Sequence, residues 1–188
     1  MEIAVFVSGN GSNLQNIIDA IASNKLQNVN IAMVIADRFC YGIERALDHD
    51  LPTYLLEDRL NFSEDADHNL TDENIDLIVL AGFLSILSPE FTKKWTKKII
   101  NIHPSLLPKY GGKGMYGTKV HQAVLDAKEK ISGATVHYVT AGVDEGEILI
   151  QGEFDIEEND NVADLQRKVA EVEQEILIEA IQQLANKQ

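Results

Sequence analysis

The stretch Ile-Ala-Val-Phe-Val-Ser-Gly-Asn-Gly-Ser-Asn-Leu, residues 3–14, decides the fold. Its five apolar residues at 3–7 predict a buried strand, and the Ser-Gly-Asn-Gly turn after them opens a stretch whose apolar positions keep helical spacing. Ser12 or Asn13 is predicted to cap that helix. A buried strand that runs through glycines into a helix is typical of the first unit of a parallel α/β sheet.

The same alternation continues outward from this stretch. Further strands are predicted at 31–36, 52–56, 77–81 and 99–102, and helices at 41–49, 62–74 and 89–97. Strands that alternate with helices favour parallel pairing through right-handed crossovers. After residue 117 the pattern changes to a helix at 118–127, two strands at 134–139 and 148–154 joined by a polar turn, and a long amphipathic helix at 162–184.

We therefore predict an α/β protein with a Rossmann-like three-layer sandwich. Its twisted sheet is mostly parallel, with an antiparallel C-terminal strand pair and a long C-terminal helix. The sequence shows no internal repeat, low-complexity segment or linker, so residues 1–188 are predicted to form a single domain.

Composition argues against several classes of protein. Thirty Asp and Glu against sixteen Lys and Arg give a net charge of -14, which argues against a nucleic-acid partner or an anionic membrane surface. No apolar run approaches the roughly 18 residues of a spanning helix. Cys40 is the single cysteine, so neither an internal disulfide nor a thiolate metal cluster can form. Residues 1–8 lack signal-peptide features, and we expect a cytoplasmic protein.

The glycine turn is compatible with more than one ligand. A dinucleotide site calls for Gly or Ala where this chain has Leu14, although Asp37 at the end of the second strand could still contact a ribose hydroxyl. The alternative is a single phosphate, held by the amides and side chains of Gly11, Ser12 and Asn13. A purely structural helix start is the third interpretation.

Asn101 and His103 form the second candidate site. They stand two residues apart at the end of a predicted parallel strand, so their side chains project to the same side. An amide donor beside an imidazole suits oxyanion stabilisation and proton movement. No histidine spacing typical of a metal site and no Gly-x-Ser-x-Gly elbow occurs. The other histidines lack such a setting and are interpreted as structural: His49, His68, His121 and His137.

The glycine turn, Leu-Ala-Gly-Phe at 80–83 and Asn-Ile-His-Pro-Ser-Leu-Leu-Pro at 101–108 together resemble the folate-dependent formyltransferases, over nearly the whole chain. The motif at 101–108 is shared with formyltetrahydrofolate hydrolases and with tRNA and sugar formyltransferases, so it indicates the chemistry. The Ser-Gly-Asn-Gly-Ser-Asn turn points to the branch that formylates glycinamide ribonucleotide.

The resemblance implies an enzyme of purine biosynthesis. It would transfer the formyl group of 10-formyltetrahydrofolate, a diffusible cosubstrate, to the amine of N1-(5-phospho-D-ribosyl)glycinamide, without a metal. One alternative is a 10-formyltetrahydrofolate hydrolase, which usually carries an additional N-terminal regulatory domain. The non-enzyme alternative is a phosphate- or nucleotide-binding module.

The resemblance also implies roles for particular residues. Asn101 and protonated His103 would donate hydrogen bonds to the formyl oxygen, while Asp144 holds His103 charged and helps move a proton through a water. The first hundred or so residues (about 1–100) would be a phosphate-binding half, and the rest (about 101–188) a catalytic and folate half. The acceptor would meet Gly11, Ser12, Asn13 and Glu173, and the folate would meet Leu84, Ser85, Ile86, Leu87 and Asn101.

Two features depart from the family pattern. Ser85 stands where many members carry arginine, and the predicted helix at 62–74 holds no Lys or Arg. Arg59 or the cluster Lys93, Lys94, Lys97 and Lys98 could compensate, although we interpret the cluster as a solvated face. The glycine-rich loop at 109–117 predicts a mobile lid, from which Lys109 or Lys113 could neutralise the phosphate. We expect small-molecule substrates and a monomer or weak homodimer.

Overall fold

The computed structural model describes residues 1–187. Within them the chain forms seven strands and six helices, in the order β1 (Glu2–Val7), α1 (Ser12–Ala22), β2 (Asn30–Ala36), α2 (Tyr41–Asp48), β3 (Thr53–Leu55), α3 (Phe62–Asp72), β4 (Leu77–Leu80), α4 (Pro89–Lys94), β5 (Ile99–His103), α5 (Thr118–Asp126), β6 (Ile131–Tyr138), β7 (Ile148–Asp155) and α6 (Val162–Ala185).

The strands form one sheet in the order β3-β2-β1-β4-β5-β6-β7. Strands β1 to β5 pair in parallel, and β6 pairs antiparallel with both β5 and β7. The predicted mostly parallel sheet with its antiparallel C-terminal pair is confirmed. The chain winds outward from β1 in both directions, so a topological switch point lies between β1 and β4, where open α/β sheets bind ligands.

Helices cover both faces of the sheet. Along β1, the side chains of Ile3, Val5 and Val7 pack with α1, α2 and α6, while Ala4 and Phe6 pack with α3 and α4. This alternation explains why β1 reads as a continuous apolar run, because a parallel strand buried on both faces has no polar side. The three-layer arrangement is confirmed. None of the described helices is long and apolar enough to span a bilayer.

Most boundaries lie within two residues of the predicted ones, and three differences matter for the packing or for the site. Strand β6 begins at Ile131, three residues before the predicted start at 134. The apolar pattern does not show this start because Gly133 interrupts it. Glycine is required there, since a Cβ at Gly133 would lie 2.0 Å from the Gly152 carbonyl oxygen on β7. Helix α4 ends at Lys94 before Lys97 takes a positive φ of 59°. Helix α1 is capped by Gly11 rather than by Ser12 or Asn13, and none of the described side chains bonds to its first amides.

Candidate active site

A cleft of about 760 Å³ opens over the carboxyl ends of β1, β4 and β5. Its walls come from the loops after these strands, from the turn after β6, and from α6. Gly11 is buried as the start of α1 and does not line the cleft. All the other predicted site residues do: Ser12, Asn13, Leu84, Ser85, Ile86, Leu87, Asn101, His103, Asp144 and Glu173.

The start of α1 forms one end of the cleft. Gly11 has a φ of 72°, and a Cβ there would come within 2.6 Å of Gly42 Cα, so only glycine fits. Because this helix start has no side-chain cap, its first amides are available to a ligand. Asn13 is buried and lies near Glu173 on α6, and burial raises the pKa of the Glu173 carboxyl to about 7.

The His103 imidazole is buried, with 4% of its surface exposed. Its Nε2 lies 2.9 Å from the Tyr110 carbonyl oxygen, which only accepts, so Nε2 carries a hydrogen. Its Nδ1 lies 3.5 Å from Asp144 Oδ2, longer than an ordinary hydrogen bond. Nδ1 is therefore the His103 atom that can exchange a proton.

Asp144 lies in the turn between β6 and β7 with a positive φ of 58°. The Gly112 amide donates to its Oδ2 at 2.9 Å, so the glycine-rich loop is tied to this carboxylate. Burial would raise the pKa of the Asp144 carboxyl, but His137, His103 and the Gly112 amide outweigh burial and hold that pKa below its usual value. The carboxylate is ionised at neutral pH and can balance a positive charge on an adjacent imidazole.

His137, interpreted from the sequence as structural, also lies in this cluster. It faces Asn101 directly across the β5–β6 pair, with 3.2 Å between its Nε2 and Asn101 Nδ2, and the same Nε2 lies 3.5 Å from Asp144 Oδ1. Sequence reasoning missed it because alternation places a histidine on one face of a strand but does not give the register against the neighbouring strand.

His121 on α5 is the second histidine that sequence reasoning left out of the site. It lines the cleft with 3% exposure, and its Nδ1 has no hydrogen-bond partner among the described residues. Burial lowers the pKa of this imidazole, which favours its neutral form. The described residues contain no group of three or more His, Cys, Asp or Glu arranged to hold a metal ion.

The positions of the basic residues decide which of them can meet an anion in the cleft. Among the described residues that line it, Lys113 is the only Lys or Arg. Lys109 pairs with Glu129 at 2.8 Å outside the cleft lining. The Lys93–Lys98 cluster also lies outside it, with Lys94 paired to Asp67 and Lys97 to Glu147.

Asp37, the candidate ribose ligand, is already engaged. Its buried carboxylate pairs with Arg38 at 2.7 Å and accepts a hydrogen bond from the Ser85 hydroxyl. Burial opposes its ionisation, but the Arg38 guanidinium and the hydroxyls of Ser85 and Ser8 outweigh burial and lower the pKa of Asp37. Ser85 therefore anchors the 82–88 loop to the end of β2, and the dinucleotide interpretation loses its ribose contact.

A switch-point cleft that joins an uncapped helix start to a buried His with a partly buried Asn and Asp is typical of an α/β enzyme of the group-transfer class. A sequence profile described as formyl transferase matches residues 1–181, and the chain belongs to this family.

Individual relatives agree. The phosphoribosylglycinamide formyltransferase of Haemophilus influenzae is 39% identical over 182 residues, covering 93% of this chain and 82% of that protein. The chloroplastic enzyme of the same name from Arabidopsis thaliana is 35% identical over 96% of this chain, which spans only 64% of that protein's length. The crystal structure of glycinamide ribonucleotide transformylase 1 from Symbiobacterium toebii superposes with a TM-score of 0.91 at 34% identity, covering 100% of this chain and 88% of that one.

Proposed function

We propose that this protein is a phosphoribosylglycinamide formyltransferase. It transfers the formyl group of 10-formyltetrahydrofolate to the amine of N1-(5-phospho-D-ribosyl)glycinamide, giving the N-formyl product and tetrahydrofolate. The observation that carries this proposal is the convergence of Asn101, His103 and Asp144 in one cleft, between an uncapped helix start and the 82–88 loop.

The acceptor occupies the α1 end of the cleft. Its phosphate accepts hydrogen bonds from the amides of Gly11, Ser12 and Asn13, where the helix dipole also favours a negative charge. Lys113 adds a positive charge from the facing loop. Glu173 is partly exposed on the α6 wall, where it meets the glycinamide part of the acceptor.

The formyl donor lies along the 82–88 loop. Leu84 and Ile86 are 49% and 69% exposed there, and such apolar side chains offer contact area to the flat rings of a folate. Ser85 and the Leu84 amide fix this loop, since the Leu84 amide donates to Ser8 Oγ at 2.8 Å. Ser85, Leu87 and Asn101 complete the predicted donor contacts.

The chemistry follows from the hydrogen-bond capacity of the cluster. As the acceptor amine attacks the formyl carbon, negative charge develops on the formyl oxygen, and Asn101 Nδ2–H and His103 Nδ1–H donate to it. Asp144 balances the charge on His103. The proton lost by the attacking amine reaches the departing folate nitrogen through Asp144 and a water, or through His103 Nδ1, and the carbon–nitrogen bond to the folate then breaks.

Further parts of the proposal concern the whole chain. We expect the N-terminal half, about 1–100, to hold the phosphate, and the C-terminal half, about 101–188, to supply the catalytic groups. The substrates are small molecules, and we expect a cytoplasmic monomer or weak homodimer that needs no metal. Sedimentation at micromolar concentration tests the oligomeric state.

The deciding experiment is a spectrophotometric assay with a 10-formylfolate donor, run with and without glycinamide ribonucleotide. We expect deformylation that requires the ribonucleotide and disappears in His103→Ala. Deformylation at the same rate without the ribonucleotide would instead make the protein a hydrolase. Binding of the ribonucleotide without any turnover would contradict an enzymatic function.

A further inference from the structure

Two buried histidines face the single carboxylate of Asp144 from opposite sides. His103 Nδ1 lies 3.5 Å from Oδ2, and His137 Nε2 lies 3.5 Å from Oδ1. Both rings are nearly fully buried, at 4% and 2% exposure. One carboxylate balances one positive charge, and a second buried cation would go uncompensated at a substantial cost in free energy.

The hydrogen-bond partners decide which ring carries that charge. His103 meets only acceptors, since its Nε2 faces the Tyr110 carbonyl and its Nδ1 faces Asp144. An imidazolium donates from both nitrogens, and both nitrogens of His103 face acceptors, so its surroundings suit the charged form.

The surroundings of His137 are different. Its Nδ1 lies 2.9 Å from the Tyr138 carbonyl oxygen and must carry a hydrogen. Its Nε2 has two neighbours, the donor Asn101 Nδ2 at 3.2 Å and the acceptor Asp144 Oδ1 at 3.5 Å, and the nearer of the two calls for a lone pair on Nε2. A second proton on Nε2 would set two donors against each other.

We propose that His137 is a positioning residue that remains neutral, as the Nδ1–H tautomer, and fixes the Asn101 amide through Nε2. His103 alone takes the positive charge that balances Asp144. This inference rests on the proposed function, to which it adds separate roles for the two histidines that face Asp144.

This arrangement determines what Asn101 offers to a substrate. One Nδ2 hydrogen is held by His137, which stops the amide from flipping and leaves the second hydrogen for the formyl oxygen. The cross-strand pairing of Asn101 with His137 holds the two side chains side by side without help from a loop.

The protonation states can be measured without any substrate. In ¹⁵N-histidine-labelled protein, we expect His137 to show a protonated Nδ1 and an unprotonated Nε2. His137→Gln and His103→Gln assign the signals. A protonated Nε2 on His137 would overturn the proposal, whatever the enzyme turns out to catalyse.

Kinetics test whether His137 acts through Asn101. We expect His137→Leu to lower kcat by about 10²–10³, as removal of an oxyanion donor does, with smaller effects on both KM values. His137→Gln, which retains an oxygen acceptor in the side chain, should keep more activity than His137→Leu. Equal losses in the two variants would contradict the role of the Nε2 acceptor.

A double-mutant cycle separates positioning from general damage to the site. In an Asn101→Ala background, His137→Leu should cost less than about threefold further, because the group it positions is gone. In an Asp144→Asn background, it should still cost most of its full effect. If His137→Leu lowered kcat by the same factor with and without Asn101→Ala, the proposal would be overturned. It would also be overturned if the effect of His137→Leu on kcat depended on Asp144→Asn but not on Asn101→Ala.

The outcomes also distinguish this inference from the proposed function. Wild-type protein that lacks ribonucleotide-dependent turnover refutes the function, while the tautomer measurement still decides the state of His137. Active wild-type protein with a cationic His137 leaves the function standing and refutes the inference. If His137→Leu does not fold, the labelled wild type and His137→Gln carry the test.

Discussion

Asn101 makes its contribution through one amide hydrogen, so its removal should affect the chemical step and little else. We expect Asn101→Ala to lower kcat by about 10²–10³, roughly 3–4 kcal/mol, because a donor to the developing oxyanion is lost. The side chain is only partly buried, so the unfolding midpoint should change little. Steady-state kinetics beside thermal unfolding checks both points, and near-normal turnover would remove Asn101 from the mechanism.

The titration of the Glu173 carboxyl makes the free energy of unfolding depend on pH. Its folded pKa of about 7 lies above its ordinary value of 4.5, because burial disfavours the charged form. The folded state therefore binds more protons than the unfolded state between these two values, and the stability contributed by this group falls as the pH rises through that window.

Glu173→Gln removes this titration. We expect its free energy of unfolding, relative to wild type, to increase from about pH 5 to about pH 8, by at most about 3 kcal/mol. Urea unfolding at the two pH values measures the change. Glu175→Gln, at an exposed position on the same helix, is the matched control and should show no such trend. A pH-independent difference for Glu173→Gln would contradict the raised pKa.

At the scale of elements, the close β6–β7 pairing depends on Gly133, which lies opposite Glu153 and beside the Gly152 carbonyl. A Cβ at Gly133 would stand 2.0 Å from the Gly152 carbonyl oxygen, which is backbone and cannot rotate away. We expect Gly133→Ala to destabilise the protein by about 1–3 kcal/mol, measured by denaturant unfolding. Gly9→Ala, whose added Cβ has nothing within 4 Å, should cost less than about 1 kcal/mol. Equal stabilities of the two variants would show that β7 moves to accommodate the methyl group.

The elements also show how far sequence reasoning reaches. Apolar periodicity placed every strand and helix, because a buried parallel sheet and amphipathic helices leave distinct patterns. Strand register, which sets His137 beside Asn101, depends on tertiary packing and leaves no such pattern. The Tyr110 carbonyl that fixes His103 was equally hidden, since any residue type supplies a backbone acceptor.

At the scale of the whole molecule, a net charge of -14 surrounds a cleft proposed to bind two anionic substrates. Lys113 is the only Lys or Arg among the described lining residues. We therefore expect it to contribute to ribonucleotide binding although its side chain is exposed. We expect Lys113→Met to raise the KM for the ribonucleotide about tenfold, with kcat changed far less. Lys93→Met, at an exposed position away from the cleft, is the control. An unchanged KM in Lys113→Met would assign phosphate binding to the α1 amides alone.

The bare start of helix α1 has a further consequence for the whole protein. A side chain that caps a helix start typically adds about 1 kcal/mol to stability, yet here it would occupy the amides that a ligand needs. The close approach of Gly42 Cα to Gly11 leaves no room for such a side chain. The backbone contact between α2 and this turn therefore keeps the amides open, and variants selected for thermal robustness alone should retain Gly11 and gain their stability elsewhere.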